Sequence, residues 1–421
     1  MIIGNQRGIM PIQYKEPAFS SGILKMDDPE YLYIPLLPGT KLLFEQGFNV
    51  FKEQAFFENE TNGDSFYPAI NGFFKEKAVL DIPFLGNTEC AKITKIDSII
   101  SEFDENEKRG VDGVRYEKII ELSRTFGVVC ELDGRPIADK LEEAKKRGVT
   151  RIIVDAIEDE PYQSSGMAIV RYYGKEVVKG LQIACTALEV TDKSICVFVR
   201  DMELSYQFPK EIEGVPVEQV KGKYPVHYTM QAQADAEQPT LFLGAGALYH
   251  LYRAVCMEIP HHTAIITVSG NCLKTPRNIE VPIGTPIGAV LDLCKIKHKP
   301  DTIVVGGSMN GVSVVNSEIP VGPATRGIYA LRTGQKTQFE CMGCAKCIDA
   351  CPSHLMPYYL YQLSKAEQYE QCKEYLIDSC VECGACAYVC PSRIDLISYL
   401  KRAKDHCSVK QEEKEDESHE N

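Results

Sequence analysis

Two stretches of this chain, CMGCAKCIDACP at residues 341–352 and CVECGACAYVCP at residues 380–391, repeat one cysteine spacing, C-x2-C-x2-C-x3-C-P. Thiolates spaced in this way wrap three irons of a cubane from one short loop, and the fourth sulfur of each run ligates the other cluster. The spacing therefore assigns Cys341, Cys344, Cys347 and Cys390 to one [4Fe-4S] cluster and Cys351, Cys380, Cys383 and Cys386 to a second. Small residues inside the loops, Gly343, Gly384 and Ala385, let backbone amides approach the sulfides, and such hydrogen bonds tune the redox potential. Structural zinc sites use paired C-x2-C knuckles and not a triple followed by C-x3-C-P. Two adjacent clusters point to electron transfer, with a structural role as the alternative. Cys372 and Cys407 read as spectator thiols, because the eight motif positions already complete two cubanes.

The rest of the composition narrows the setting. A chain of 421 residues is too long for one simple core and predicts two to four domains. A formal net charge of −13 argues against nucleic acid, whose binding surfaces rely on clustered Lys and Arg. It suits protein partners instead. No run approaches the ~18 apolar residues of a spanning helix, and the first residues lack the ordered regions of a secretory signal. The expectation is a cytoplasmic protein with no transmembrane segment. In a reducing compartment 17 cysteines favour metal or redox chemistry over disulfides.

The elements that must carry the cysteines fall into five segments. Residues 1–100 show short apolar runs punctuated by Pro, Gly and Asn, the texture of a small β-rich unit, with a tight connection at Pro68–Gly72. Residues 101–113 are polar and read as a linker. From 114 to 258 the texture alternates between helix and strand: PIADKLEEAKKRG predicts a helix stopped by Gly148, VTRIIVDA and SICVFVRD read as buried strands, and one long helix is expected over SGMAIVRYYGKEVVKGLQIACTAL. Such alternation implies a parallel sheet with ligands beyond the strand carboxyl ends. There the sequence places IEDEPY and, after PTLFL, a G-x-G turn. The Gly244 and Gly246 amides could face a phosphate at a helix N-terminus, or the glycines could serve close packing alone. Residues 259–333 fit a small β-grasp module, residues 334–407 hold the cysteines on a helical spacer, and the charged tail 408–421 is expected to be disordered.

Taken in order, these features resemble the RnfC family, the cluster-bearing component of Rnf-type electron-transport complexes, through VPIGTPIGAVL, VVGGSMNG, the cysteine motifs and CAYVCPSRIDL. The resemblance implies a multidomain α+β fold: a barrel-sandwich-like N-terminal unit, an NADH- and flavin-binding-like α/β domain, an SLBB-like β-grasp module and a C-terminal double [4Fe-4S] ferredoxin domain. It also implies FMN and NADH as further cofactors. The α/β domain departs from the family where a glycine-rich turn should approach the flavin phosphate, since FGVVCELDGRPIADKL keeps only Gly127 and Gly134. A side chain at each lost glycine obstructs close backbone approach. The acidic E-x-E-P-Y turn survives as Glu158, Asp159, Glu160, Pro161 and Tyr162. The resemblance aims Glu158 and Glu160 at flavin and nicotinamide, while a solvated loop tip is the plainer alternative. Cys130, in the altered turn, is a candidate redox thiol if exposed and acidified, and a buried spectator otherwise.

The expectation for function is an iron-sulfur protein relaying single electrons from NADH, a flavin or a protein donor to a reductase. A narrower likeness, to RnfC-like proteins of the clostridial D-proline reductase system, makes that reductase the expected acceptor. Stand-alone cobalamin reductases of the same superfamily are a further comparison. The alternatives are the RnfC component of a membrane ion-translocating ferredoxin:NAD oxidoreductase, peripherally bound to the membrane, and a ligand-binding or assembly protein with purely structural clusters.

Overall fold

The computed structural model describes residues 7–83, 85–97, 103–200, 205–334 and 337–419, with side chains as far as residue 407. At its centre is a five-stranded sheet. The parallel strands Thr240–Gly244, Arg151–Ala156, Asp192–Phe198 and Val215–Val220 lie side by side in that order, and Glu211–Ile212 pairs antiparallel at the edge. Side chains alternate across it with the period of two that a pleated strand imposes. Ile152, Val154 and Ala156 join the core under the helices Ile137–Arg147, Ser165–Tyr172, Gly174–Leu188 and Ala245–Tyr252. Ile153 and Ile157 face Val226 and Met230 of the helix Val226–Glu237 on the other side.

Local chemistry explains the helix limits. Pro136 caps Ile137–Arg147, three basic residues complement its carboxyl end, and Gly148 closes it at φ +65°. The single helix expected from residue 165 is in fact two. Tyr173 leaves helical geometry just before Gly174, where an added Cβ would lie 2.9 Å from Ile212 Cδ1, so the break lets the sheet edge approach.

The N-terminal region forms a four-stranded antiparallel sheet, ordered Tyr31–Pro35, Gly86–Lys95, Gly72–Ile82 and Asn49–Val50, with a three-stranded sheet beside it. Pro68–Gly72 connects two strands and buries Ile70 in their shared core. This region is not self-contained. Its strand Ile23–Lys25 pairs in parallel with Arg277–Pro282 of a six-stranded mixed sheet built otherwise from residues 263–331. In that sheet Thr263–Ser269 and Gly327–Leu331 run parallel at the centre, and Ile287–Leu293 packs on the face. Residues 103–113 have no regular structure, and 101–102 lie outside the described residues.

The cysteine-rich region is helical, with Lys346–Ala350, Pro357–Lys365, Tyr369–Glu374, Ala385–Tyr388 and Leu396–His419 around one apolar core. The last helix corrects the expectation of a disordered tail. Residues 408–419 continue it, and their Glu, Lys and Gln content favours helix even without apolar anchors. Residues 420–421 lie outside the described residues. Among the described residues, no helix is long and apolar enough to cross a membrane.

Candidate metal centre

The two cysteine loops have the same backbone. Gly343 and Ala345 in the first, and Glu382 and Gly384 in the second, take left-handed φ between 52° and 74° at equivalent positions. His354 and Arg393, three residues after the fourth cysteine of each run, do the same at 58° and 55°. Such turns swing successive amides to one side of the chain, where they can meet anionic sulfur. Gly343 N donates to Cys341 Sγ at 3.5 Å and Leu355 N to Cys351 Sγ at 3.3 Å. The donor set and these amides fit an iron-sulfur cluster.

The fold brings Cys351 to the second loop, across the helical spacer. Burial pushes the Cys383 thiol up to about 12, and Cys380 and Cys351 are the neighbouring thiols that add to it while the Ala385 amide opposes. Cys386 is raised by burial and then by Cys383, Cys380 and Cys351. Cys351, Cys380 and Cys383 are thus the thiol neighbours that act on Cys386. Cys341, Cys347 and Cys390 line the rim of the same core. Among the described residues no three His, Cys, Asp or Glu side chains close on a single-ion site. Four thiolates of a cubane bind four separate irons and need not converge on one point.

The two sets differ in exposure. Cys351, Cys380, Cys383 and Cys386 are each at most 9% exposed, whereas Cys344 is open to solvent. The enclosed set faces the rest of the molecule: Tyr224 Oη donates to the Cys383 carbonyl at 2.6 Å, and a Cβ on Gly384 would sit 2.6 Å from the Met309 carbonyl. Cys372 and Cys407 lie within the apolar core of the helices, and burial raises Cys372 to about 11.

The acidic turn lies at the carboxyl end of Arg151–Ala156, and it is buried, which removes the solvated-loop alternative. Each acid has an internal partner. Glu158 accepts from Ser165 Oγ at 3.1 Å and from the amides of Gly166 at 2.9 Å and Met167 at 3.1 Å, capping the helix Ser165–Tyr172. Glu160 accepts from the Met309 amide at 2.9 Å and Ser308 Oγ at 3.1 Å, which ties the loop beside Cys383 to the sheet. Asp159 accepts from the Val226 amide, and Asp155 meets His227 Nδ1 at 2.7 Å. Arg326 supplies the compensating charge, 3.9 Å from Glu158. Sequence reasoning missed His227 and Arg326, whose partners lie far along the chain. The signal available was Asp155 itself, an acid ending a buried strand.

Gly244 and Gly246 also stand where the sequence places them, at the N-terminus of Ala245–Tyr252. The amides there are taken by Glu131, whose carboxylate accepts from Gly246 N at 2.7 Å and Ala247 N at 2.9 Å. Cys130 is a correction. It is fully buried, and burial followed by the charge of Glu131 pushes its thiol up to about 12, the opposite of an activated redox cysteine.

A cleft of about 1240 Å³ runs past this region, lined by Gly134, Arg326, Gly307, Cys380 and Lys404 among others. It runs between the turn at residues 127–139, the N-terminal sheets and Cys380 of the enclosed set.

Among protein families, the 4Fe-4S dicluster domain matches residues 340–394. The C component of the ion-translocating oxidoreductase complex of Vibrio cholerae is 28% identical over 279 residues, which cover 61% of this chain and 36% of that protein. The alignment thus spans about a third of that relative's length. The C component of the proton-translocating ferredoxin:NAD(+) oxidoreductase complex of Clostridium ljungdahlii is 26% identical over 401 residues, covering 87% of this chain and 86% of that one. A solved NAD+-reducing [NiFe]-hydrogenase in its H2-reduced state aligns over 71% of this chain and 63% of its own with a TM-score of 0.49 and 13% identity. The chain is an iron-sulfur protein whose relatives are named as the C components of ion-translocating oxidoreductase complexes.

Proposed function

We propose that this chain is an electron relay, which accepts electrons from a redox partner and passes them singly through two [4Fe-4S] clusters to a reductase. The observation that carries this reading is the gathering of Cys351 with Cys380, Cys383 and Cys386 in one enclosed neighbourhood, next to a set that opens to solvent at Cys344. When bound, the clusters supply reversible one-electron chemistry. The chain's own part is to hold them by eight thiolates, to donate amides to the sulfurs, and to keep one set dry and the other accessible to a partner. A dry site and an open one differ in dielectric and hydrogen bonding, so the two centres should differ in potential.

Two settings are compatible with the relay. A place as the C component of a membrane ion-translocating complex is favoured by the names of the relatives. Delivery to D-proline reductase is supported by the sequence resemblance and by the altered turn at residues 127–137, which departs from a working flavin site.

The test is anaerobic titration of the iron-reconstituted protein, followed by visible absorbance and EPR. Reversible reduction of two distinguishable clusters by dithionite is expected. Clusters that do not cycle would leave them as structural props and end the relay reading. Recovery with membranes or in soluble extract separates the two settings.

A further inference from the structure

The family resemblance implies a flavin whose phosphate lies against backbone amides, and this chain has a candidate place for it at the N-terminus of Ala245–Tyr252. The side chain of Glu131 already occupies that place. Its two oxygens accept from the Gly246 and Ala247 amides, and a Cβ built on Gly244 would lie 2.2 Å from Glu131 Oε1. A carboxylate with two amides at a helix N-terminus satisfies the donors and the dipole that would otherwise hold a phosphate.

The turn that carries Glu131 is equally committed. The amides of Val128, Cys130 and Gly134 donate to the carbonyls of Ser123, Arg135 and Cys130, and the Val129 amide donates to His261 Nδ1 at 3.1 Å. Ile137 N closes back on the Val128 carbonyl. Glu131 also lines the cleft of about 1240 Å³, so what excludes a phosphate is the filled amides and not want of room there; between Glu131 and the acidic turn the remaining cavity is about 20 Å³, bordered by Glu131, Asp155, Glu158 and Arg326. That is room for a single water. A phosphate dianion placed there would need a larger space and would face three carboxylates against one guanidinium.

We infer that Glu131 is a built-in substitute for a ligand phosphate, and that the α/β domain of this chain does not take FMN. The inference is independent of the relay reading, because a relay can be fed through a bound flavin or by a partner protein. It goes further in one respect: with the cradle filled, electrons enter from another protein and not from a resident flavin.

The experiment uses the full, iron-reconstituted chain. Flavin released by acid is measured on the wild type, and FMN, riboflavin and inorganic phosphate are titrated by flavin fluorescence and calorimetry. The wild type should carry no stoichiometric flavin and should bind FMN no more tightly than riboflavin. Stoichiometric FMN, or a preference for FMN over riboflavin, overturns the inference. Glu131→Ala frees two amides and should gain affinity for inorganic phosphate, roughly tenfold to a hundredfold by loss of the competing charge-assisted bonds. Glu131→Gln keeps one acceptor oxygen for one amide and turns an NH2 donor toward the other, so its gain should be smaller than that of Glu131→Ala. A folded Glu131→Ala chain with unchanged phosphate affinity also overturns it. Should Glu131→Ala fail to fold, the wild-type titration alone decides. Iron content and EPR are read on the same samples, so a failure of the relay is seen separately from a failure here.

Discussion

Single residues divide this chain into cysteines that make a centre and cysteines that fill space. Cys383 is enclosed among three other motif thiols, so Cys383→Ser should remove or convert one cluster, with iron content falling toward half and one EPR signal lost. Cys344→Ser should do the same to the other cluster, and because Cys344 is open to solvent the loss should proceed without unfolding. If both variants keep full iron and both signals, the ligand assignment is wrong. Cys130 behaves in the opposite way: buried and held at about 12, it should resist iodoacetamide at pH 8 in the folded protein and react only in denaturant. Rapid modification under native conditions would contradict its placement. The 4Fe-4S dicluster domain over residues 340–394 was legible in the sequence because short cysteine spacing encodes it. Glu131 was not, since the amides it satisfies lie 115 and 116 residues further along the chain.

At the scale of elements, one glycine fixes how the helix under Glu131 sits. Gly180, in Gly174–Leu188, lies so close to Ala245–Tyr252 that an added Cβ would be 1.9 Å from the Leu248 carbonyl. The contact is backbone against backbone, and no side-chain rotation relieves it. Gly180→Ala should therefore destabilise the α/β domain by about 1–3 kcal/mol, measured as a lower urea midpoint. Iron content should be unchanged, because the cysteine helices form a separate core. An unaffected midpoint would mean that the two helices can separate freely. Sequence texture captured the elements with strong local signals, such as Pro136 and Gly148 around Ile137–Arg147. It failed where tertiary packing decided, in the break at Tyr173 and in the strand Ile23–Lys25, which leaves its own region to pair with Arg277–Pro282.

Across the whole molecule, the acidic turn joins the parts, and its charge balance should be visible in stability against pH. Asp155 is held below the usual carboxylate range: burial opposes ionisation, but His227 and the Ile157 amide outweigh it. His227 is raised, with burial opposing and the charges of Asp155 and Asp159 prevailing, although Arg326 also opposes. A raised histidine stabilises the fold fully below its unfolded value, near 6.5, and that contribution is lost as pH rises through the higher folded value. The Asp155 contribution is present above the ordinary carboxylate value and is lost only as pH falls through the depressed one. Asp159, Glu160 and Glu131 are raised, chiefly by burial, so they lower stability as pH climbs above the ordinary carboxylate range, in the same direction as His227, and a His227 variant is what separates the histidine share. Between pH 6 and 8.5 wild-type urea midpoints should thus fall as pH rises, and those of His227→Gln should change less. Equal slopes in the two proteins would show that the Asp155–His227 pair contributes nothing to folding. His227 lies in the first turn of the helix that follows Tyr224, and Tyr224 donates to the carbonyl of Cys383. If this link is mechanical, losing His227 should shift the EPR signal or potential of the enclosed cluster while leaving that of the Cys344 cluster unchanged, a contrast that general loosening of the fold would not produce.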